Sequence, residues 1–238
     1  KVAVDCGNGA GALYARSFLE GLGCEVIALH EQMRGVFERG PEPVPANLGA
    51  LGEAVRRHGC AVGFAQDPDA DRLALVGPDG QPLGENYTLV LAVAHLMSRQ
   101  PGLVATNLST SKAVEDVTKA AGGTLVYTRI GEINVSSELI RLSGVIGGEG
   151  NGGVIWPAVH PCRDSFTAMA LVLEMLAHRR QGMAEIMASM PYYHSVSLKI
   201  ACPESEALRV VRELRETYAD RQPNTLDGIR IDWADRWV

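Results

Sequence analysis

The sequence predicts an α/β protein of two tandem β-α-β-α-β units with mostly parallel, mixed sheets flanked by helices, plus a partial α+β segment at the C-terminal end. Apolar runs of strand length alternate with amphipathic stretches of helical period, which is typical of parallel sheets covered by helices. The same order of strand, turn, helix and strand occurs twice along the chain. Single or paired glycines end most of the helical stretches.

The first unit begins with the apolar run KVAVD and the glycine-rich turn CGNGAG, followed by a helix and the strand-like EVIAL. Tyr14, Phe18 and Leu22 recur at helical spacing and predict the buried face of that helix. A second helix is predicted over LGEAVRRH, and the strand VGFAQ then ends at an acidic loop. The turn at Asp79 and Gly80 marks the end of the unit.

The second unit repeats this order in GLVATNLSTSKAVEDVTKAAGGTLVYT, where Val114, Val117 and Ala121 share one helical face. VSSELIRLSG then supplies a helix, and VIGGEGNGG supplies a third strand with a glycine-rich loop in place of the acidic one. Ligands bind beyond the carboxyl ends of strands in such sheets. We therefore expect the two loops to occupy equivalent places in their units.

The last part of the chain differs from both units. After an amphipathic helix over about 165–177, MPYYHSVSLKIACP has strand character, a helix lies near 206–218, and 228–238 is typical of half a hairpin. Forty-odd residues of this kind cannot bury much of a core. The chain also opens without methionine, so we expect it to be a piece of a longer protein. We expect its domains to cover 1–81, 82–194 and 195–238.

The composition excludes several classes of partner. A formal net charge of −6 without a Lys/Arg block argues against nucleic-acid binding. The longest apolar runs fall far below the ~18 to 20 residues of a membrane-spanning helix, and no secretory signal is visible. Five single cysteines without C-x-x-C spacing argue against a disulfide framework or a structural zinc. We expect a small-molecule ligand, no nucleic acid, no membrane and a cytoplasmic location.

The sequence DPDADR sets Asp67, Asp69 and Asp71 at alternate positions directly after a predicted strand. Carboxylates this close repel one another unless a cation balances them, and Mg²⁺ suits such a site because it takes few protein ligands. Arg72 can hold a phosphate oxygen beside the ion. An EF-hand does not fit, because its sixth position is Arg72 rather than glycine and its twelfth is Pro78 rather than glutamate. A solvated acidic turn is the alternative.

The loop GGEGNGG packs five glycines around Glu149 and Asn151. Glycines let the backbone approach a ligand closely, while a carboxylate and an amide can bind neighbouring sugar hydroxyls. A flexible turn is the alternative. His160 and Arg163 in WPAVHPCRDS, and Arg129 in TRIGEINV, either face the same ligand or lie in surface loops.

The first glycine turn allows a different interpretation. Gly7, Gly9 and Ala12 fit the pattern G-x-G-x-x-A of dinucleotide-binding folds. The acidic residue expected about 20 positions later is not cleanly placed at a strand end. A tight strand-to-helix turn is preferred, with Asp5 and Asn8 as turn and cap residues.

Taken together, DPDADR followed about 80 residues later by GGEGNGG resembles the metal loop and sugar-binding loop of the α-D-phosphohexomutases, the phosphoglucomutase and phosphomannomutase superfamily. DCGNGAG, TRIGEINV and PCRDS are similar to further landmarks, closest to the phosphomannomutase and phosphoglucosamine mutase branches. Members have four domains. The chain resembles the second, the third and the start of the fourth, so the first domain and most of the fourth are expected to be missing partners.

The resemblance implies an isomerase that interconverts sugar 1-phosphate and sugar 6-phosphate of mannose, glucose or glucosamine through a phosphoserine and a bisphosphate. Positioning and charge neutralisation supply most of the catalysis in such phosphoryl transfer. Three roles are implied for the loops: Mg²⁺ binding, contact with the transferring phosphoryl group, and binding of the sugar. The residues concerned are Asp67, Asp69 and Asp71 for the metal, Arg72 for the phosphoryl group, and Glu149, Asn151, Arg163, Arg129 and His160 for the substrate.

The sequence departs from the family pattern in several places. Asn151 and Gly153 stand where a serine and often a histidine are usual, and a lysine often found in the loop matching TRIGEINV is not evident. The phosphoserine loop T-x-S-H-N-P has no counterpart. We therefore expect the catalytic serine to lie outside this chain, and the isolated chain to be inactive and to bind Mg²⁺ weakly. A nucleotide-binding oxidoreductase domain and a noncatalytic sugar-phosphate binding module are the alternatives.

Overall fold

The structure, a computed structural model, describes residues 1–33, 35–196 and 198–238. Within them the strands are β1 (Val2–Asp5), β2 (Val26–Leu29), β3 (Gly63–Gln66), β4 (Leu73–Val76), β5 (Leu103–Asn107), β6 (Thr124–Thr128), β7 (Ile146–Glu149), β8 (Gly153–Trp156) and β9 (His160–Arg163). The α-helices are α1 (Ala15–Gly21), α2 (Gly49–His58), α3 (Tyr87–Arg99), α4 (Lys112–Ala120), α5 (Glu132–Leu142), α6 (Ser165–Arg179), α7 (Met183–Ala188) and α8 (Glu204–Thr217). In these described ranges no helix is both long and apolar enough to cross a lipid bilayer.

The strands form two mixed sheets. The first has the order β2-β1-β3-β4, with β1 parallel to β2 and β3 and with β4 antiparallel to β3. The second has the order β6-β5-β7-β8-β9, in which β8 and β9 run antiparallel to their neighbours. Every residue of β1, β3, β4 and β7 is buried, as expected of strands covered on both faces. The predicted α/β class with two mixed, helix-flanked sheets is confirmed.

Helix α3 lies at the centre of the shared core. Its residues from Tyr87 to Met97 are all buried, because it packs on α4 and α6 and also contacts strands of both sheets. A helix that is apolar on all sides is typical of such a position. One cluster of buried side chains therefore runs from Leu19 and Phe64 in the first unit to Val114 and Ile146 in the second. This continuous core fixes the loops of the two sheets relative to each other.

The predicted buried face of α1 is wrong. Tyr14 and Leu22 are 63 % and 50 % exposed, whereas Ala15 and Leu19 are fully buried. The helix begins only at Ala15, after a separate 3₁₀ turn, so Tyr14 and Leu22 lie just outside its ends. Phe18 is half-buried and packs edge-on against Phe166, with ring centroids 5.2 Å apart.

Arg230 is a buried contact between the C-terminal segment and the second unit. Its side chain is 2 % exposed, donates hydrogen bonds to the carbonyls of Leu108 (2.8 Å) and Thr110 (2.7 Å), and lies 4.7 Å from the centre of the Tyr127 ring. Helix α8, by contrast, buries none of its residues. The strand expected over 190–203 is absent from the described residues of that range. Ile231 and Val238 exchange backbone hydrogen bonds, as in the expected hairpin.

Candidate active site

The acidic loop connects β3 to β4, with Asp67 directly after β3. Ala70 adopts a left-handed conformation (φ +61°), which turns the chain back toward β4. Its carbonyl accepts hydrogen bonds from the backbone N–H (3.2 Å) and the hydroxyl (2.6 Å) of Ser165 at the start of α6. The Gln66 amide in turn donates to the Ser165 hydroxyl (2.8 Å). The second unit thus holds the loop of the first.

The three aspartates of this loop converge. One carboxylate oxygen from each of Asp67, Asp69 and Asp71 lies within 4.8 Å of the others. Burial raises the pKa of Asp67, whose Oδ1 accepts the backbone N–H groups of Asp71 (3.1 Å) and Arg72 (3.0 Å). Asp71 Oδ1 is buried without a hydrogen-bond partner in the described part of the chain. Three carboxylates with one such oxygen fit a hard divalent cation.

Arg72 lies across the acidic loop. Its Nε donates to Asp67 Oδ2 (2.6 Å), and its other nitrogens contact the Glu42 carboxylate, with Nη2 3.2 Å from Oε1. Although burial alone would lower the pKa of Arg72, the hydrogen bonds to Glu42 and Asp67 raise it. The hydrogen bond from Arg72 also lowers the pKa of Glu42. Arg72 is therefore a fixed positive charge beside the aspartates, and its contact with phosphate stays a prediction.

The glycine-rich loop connects β7 to β8 and touches the acidic loop through the main chain. The Leu73 N–H donates to the Gly152 carbonyl (3.1 Å), and Arg72 and Gly153 form an antiparallel bridge. Gly152 has φ +94°, and a Cβ there would lie 2.4 Å from the Leu73 carbonyl oxygen. This close approach requires glycine at position 152. Glycine in this loop therefore permits contact with the acidic loop, in addition to any role in binding a ligand.

Glu149, the last residue of β7, is the buried acid of this loop and is 4 % exposed. Its Oε1 accepts hydrogen bonds from the Asn107 side chain (2.7 Å) and the Gly131 backbone (3.0 Å). Its Oε2 accepts one from Arg163 Nη1 (2.7 Å). The ends of β5, β7 and β9 and the start of α5 therefore meet at one carboxylate.

Arg163, at the end of β9, joins the two loops. Its Nη2 contacts Asp71 of the acidic loop while its Nη1 is bonded to Glu149, and its backbone N–H donates to Glu132 (2.6 Å). A Cβ on Gly153 would lie 2.3 Å from Arg163 Cδ, so the absence of a side chain at Gly153 makes room for the arginine. Six carboxylates surround two guanidinium groups, which leaves a formal excess of four negative charges: Glu42, Asp67, Asp69, Asp71, Glu132 and Glu149 against Arg72 and Arg163.

The other predicted substrate residues lie near the site without joining its charge network. Asn151 Oδ1 accepts the Gly153 N–H (3.2 Å) within its own loop. His160 begins β9 and is 3.4 Å from Asp164, with 43 % of its side chain exposed. Arg129 is exposed and donates to the Leu226 carbonyl (3.3 Å). Their roles in binding substrate stay predictions.

A cavity of about 420 Å³ lies beside the start of α3, and its lining includes no residue of the glycine-rich loop. Asn86 and Ser111 line it, together with Tyr192 and His194. The Asn86 side chain accepts the Ser111 N–H (2.9 Å) and would be 2.4 Å from a Cβ on Gly150. The volume of the cavity lies within the range of small-ligand pockets.

Sequence reasoning missed three partners of the site. Glu42 pairs with Arg72, Asn107 with Glu149, and Glu132 with Arg163. Asn107 ends β5, so the rule that ligands gather at the carboxyl ends of parallel strands could have found it. Glu42 lies between two prolines, a sign of a rigid loop but not of its partner.

The first glycine turn packs against the acidic loop. The Ala10 N–H donates to the Pro68 carbonyl (2.7 Å), and a Cβ on Gly9 would lie 2.4 Å from that oxygen. Asp5 accepts the Gly7 N–H (2.8 Å), as expected of a turn residue. The cap role expected of Asn8 is wrong, since its side-chain oxygen accepts the N–H of Gln32 instead (3.0 Å). The glycines here permit close packing between loops.

Comparison with known proteins gives matches over the whole chain. Family models described as phosphoglucomutase/phosphomannomutase, alpha/beta/alpha domains II and III, match residues 1–80 and 84–193. A probable phosphoglucosamine mutase of Methanopyrus kandleri is 35 % identical over all of this chain and 54 % of its own length. A phosphoglucomutase/phosphomannomutase of Thermococcus kodakarensis is 33 % identical over all of this chain and 53 % of its own. The chain thus spans about half the length of the curated relatives it matches.

Solved structures agree. A crystal structure of a phosphoglucomutase/phosphomannomutase family protein from Burkholderia thailandensis superposes with a TM-score of 0.83 and 25 % identity, covering 99 % of this chain and 52 % of that one. The fold described above therefore also occurs in a solved structure.

Proposed function

This chain belongs to the phosphoglucomutase/phosphomannomutase family, and we propose that it carries the metal-binding and sugar-binding loops of a phosphohexomutase. The reaction proposed is the interconversion of a hexose 1-phosphate and a hexose 6-phosphate, with glucosamine, glucose or mannose as the hexose. Relatives named as phosphoglucosamine mutase and as phosphoglucomutase/phosphomannomutase support this range of substrates.

One observation carries the proposal. Arg163 contacts Asp71 of the acidic loop and Glu149 of the glycine-rich loop with two nitrogens of the same guanidinium group. One guanidinium group therefore joins the loop proposed to bind a cation and the loop proposed to bind sugar hydroxyls. Phosphoryl transfer to and from a sugar needs a bound cation close to the bound sugar, because catalysis rests on positioning and on neutralising phosphate charge.

The proposed roles follow from the contacts of each residue. Asp67, Asp69 and Asp71 would hold Mg²⁺, which neutralises charge on the transferring phosphoryl oxygens when bound. Arg72, held at Asp67, would contact a phosphate oxygen with the nitrogens that donate to Glu42 in this structure, so the phosphate would replace Glu42 as their partner. Glu149 has about four lone-pair sites and uses three of them on protein donors, so one remains for a sugar hydroxyl.

The phosphoryl-carrying serine is proposed to come from outside these 238 residues, since they contain no T-x-S-H-N-P sequence. The chain by itself is then a binding unit without turnover. The cytoplasm is the proposed location, supported by the five free cysteines, which are typical of a reducing compartment.

Calorimetric titration of the chain with glucosamine 6-phosphate, glucose 6-phosphate and mannose 6-phosphate, with and without Mg²⁺, tests the proposal. We expect at least one to bind, with Mg²⁺ strengthening the binding, and Asp69→Ala to remove that Mg²⁺ effect. Glu138→Gln changes a partly exposed acid on α5 that is paired with Arg141; it is the matched control and should bind as the native chain does.

Two outcomes contradict different parts of the proposal. If no hexose phosphate binds, but NAD binds and is lost in Gly9→Val while Asp69→Ala is harmless, the chain is a dinucleotide-binding domain. If a coupled assay detects turnover by this chain alone, the external serine is wrong while the assignment of substrate stands.

A further inference from the structure

Asp71 contacts Arg163 and is also one of the three aspartates proposed to bind a divalent cation. We propose that Arg163 is an internal counter-ion of the acidic loop, which a divalent cation displaces from Asp71, so that binding of the cation releases one arm of the arginine into the site. The inference rests on the proposed function only for the identity of the cation-binding loop. The inference concerns which residues hold the acidic loop when no cation is bound.

The exchange occurs at Asp71 because of how the aspartates are held. Asp67 is fixed by two backbone N–H groups and by Arg72 of its own loop. Asp71 has one buried oxygen without a hydrogen-bond partner among the described residues, and Arg72 Nε lies 3.6 Å from that oxygen. The other oxygen contacts Arg163, which comes from 92 residues further along the chain. Asp71 is thus the carboxylate whose partner can leave without unfolding the loop.

Arg163 can leave Asp71 and remain in place. Its Nη1 stays bonded to Glu149 (2.7 Å), and its backbone N–H stays bonded to Glu132 (2.6 Å). Its Nε is buried, 3.4 Å from Glu132, and without a hydrogen-bond partner in the described structure. A guanidinium group with unsatisfied donors beside Glu149 suits an anionic or hydroxylated ligand. The displaced arm therefore faces the glycine-rich loop, so that the cation prepares the sugar-binding side.

Gly153 gives a way to move Arg163 without changing any charge. A Cβ at this position would lie 2.3 Å from Arg163 Cδ and 3.1 Å from Cγ, so alanine forces the side chain to turn away. Gly153 is not among the glycines with positive φ, so alanine fits its backbone. Gly153→Ala thus separates the contact between Arg163 and Asp71 from the long-range effect of a positive charge.

Magnesium titration by calorimetry at near-neutral pH tests the inference on the native chain, Arg163→Gln and Gly153→Ala. Removing a competing cation should tighten Mg²⁺ binding, so we expect the Kd of Arg163→Gln to fall about tenfold, which is about 1.4 kcal/mol. Gly153→Ala should change in the same direction by about threefold. Arg141→Gln removes an equal charge from the exposed face of α5, and its Kd should stay within about twofold of native because solvent and salt screen distant charges.

If Arg163 only supports the acidic loop, the Kd for Mg²⁺ should rise in Arg163→Gln, because the loop would lose a support and bind Mg²⁺ more weakly. Thermal unfolding confirms that each variant is folded. Unchanged or weaker binding in both Arg163→Gln and Gly153→Ala overturns the inference. If Mg²⁺ binding is lost in Asp69→Ala but unaffected by Arg163→Gln, only the role of Arg163 is wrong. If neither the native chain nor Arg163→Gln binds Mg²⁺, the metal loop of the proposed function is wrong as well.

Discussion

Replacing Glu149 by glutamine tests whether a carboxylate is needed at the junction of the loops. All three partners of Glu149 are donors: the Asn107 amide, the Gly131 N–H and Arg163. Glutamine has the same shape, but one of its two terminal atoms is an NH₂ group. In either orientation of the amide a donor then faces a donor in a buried place.

The magnitude follows from these contacts. A hydrogen bond to a charged group contributes about 1.5 to 3 kcal/mol, and an unsatisfied buried donor costs about 1 to 3 kcal/mol. The two effects overlap because they involve the same atoms. We therefore expect Glu149→Gln to lower the free energy of unfolding by about 3 kcal/mol.

Urea unfolding followed by tryptophan fluorescence measures this change. Glu138→Gln removes a partly exposed acid whose partner Arg141 is exposed, and it should cost less than about 0.5 kcal/mol. In the double variant Glu149→Gln with Arg163→Gln, the loss should be smaller than the sum of the single losses, since each change strands the other partner. A Glu149→Gln variant as stable as Glu138→Gln would refute the reasoning.

Two other predictions test the packing around the site, and a third tests an ion pair on α4. Gly152→Ala places a Cβ 2.4 Å from the Leu73 carbonyl at φ +94°, so we expect a loss of about 3 kcal/mol in thermal unfolding, and a loss below about 1 kcal/mol would contradict the contact. Ser165→Ala removes the partner of the Gln66 amide and should cost about 1 to 3 kcal/mol in the same assay; full stability would show that water replaces the hydroxyl. Although burial alone would raise the pKa of Glu115, hydrogen bonds from two lysines lower it below 4.5. A depressed pKa contributes stability that is present above the unfolded-state pKa and lost as the pH falls through the folded one, so the gap between native and Glu115→Gln, about 1 kcal/mol at neutral pH, should close in acid. A gap that does not depend on pH would disprove this.

The order of the elements and the position of both loops could be predicted from the sequence. Asp67 follows β3 and Glu149 ends β7, as the repeat of the two units predicted. This part of the fold depends on local patterns, namely apolar runs, glycine stops and the rule that ligands gather at the carboxyl ends of parallel strands. Those patterns can be recognised in the sequence without knowledge of distant contacts.

The partners of the loop residues could not be predicted in the same way. Arg163 lies 92 residues from Asp71, and Glu42 lies 30 residues from Arg72, so no local spacing connects them. Similarly, HPCR carries little strand signal, and β9 forms because the edge of β8 offers it hydrogen bonds. Tertiary contacts decided these features, whereas the sequence pattern left His160 and Arg163 equally compatible with a surface loop.

The hydrogen bond between Leu73 and Gly152 uses only main-chain atoms. Side-chain substitutions elsewhere leave its donor and acceptor in the sequence unchanged. The acidic loop and the glycine-rich loop are coupled through their backbones, so a shift of one loop should displace the other. A graft that replaces both loops together keeps this backbone contact between matched partners, whereas a graft of one loop has to rebuild it.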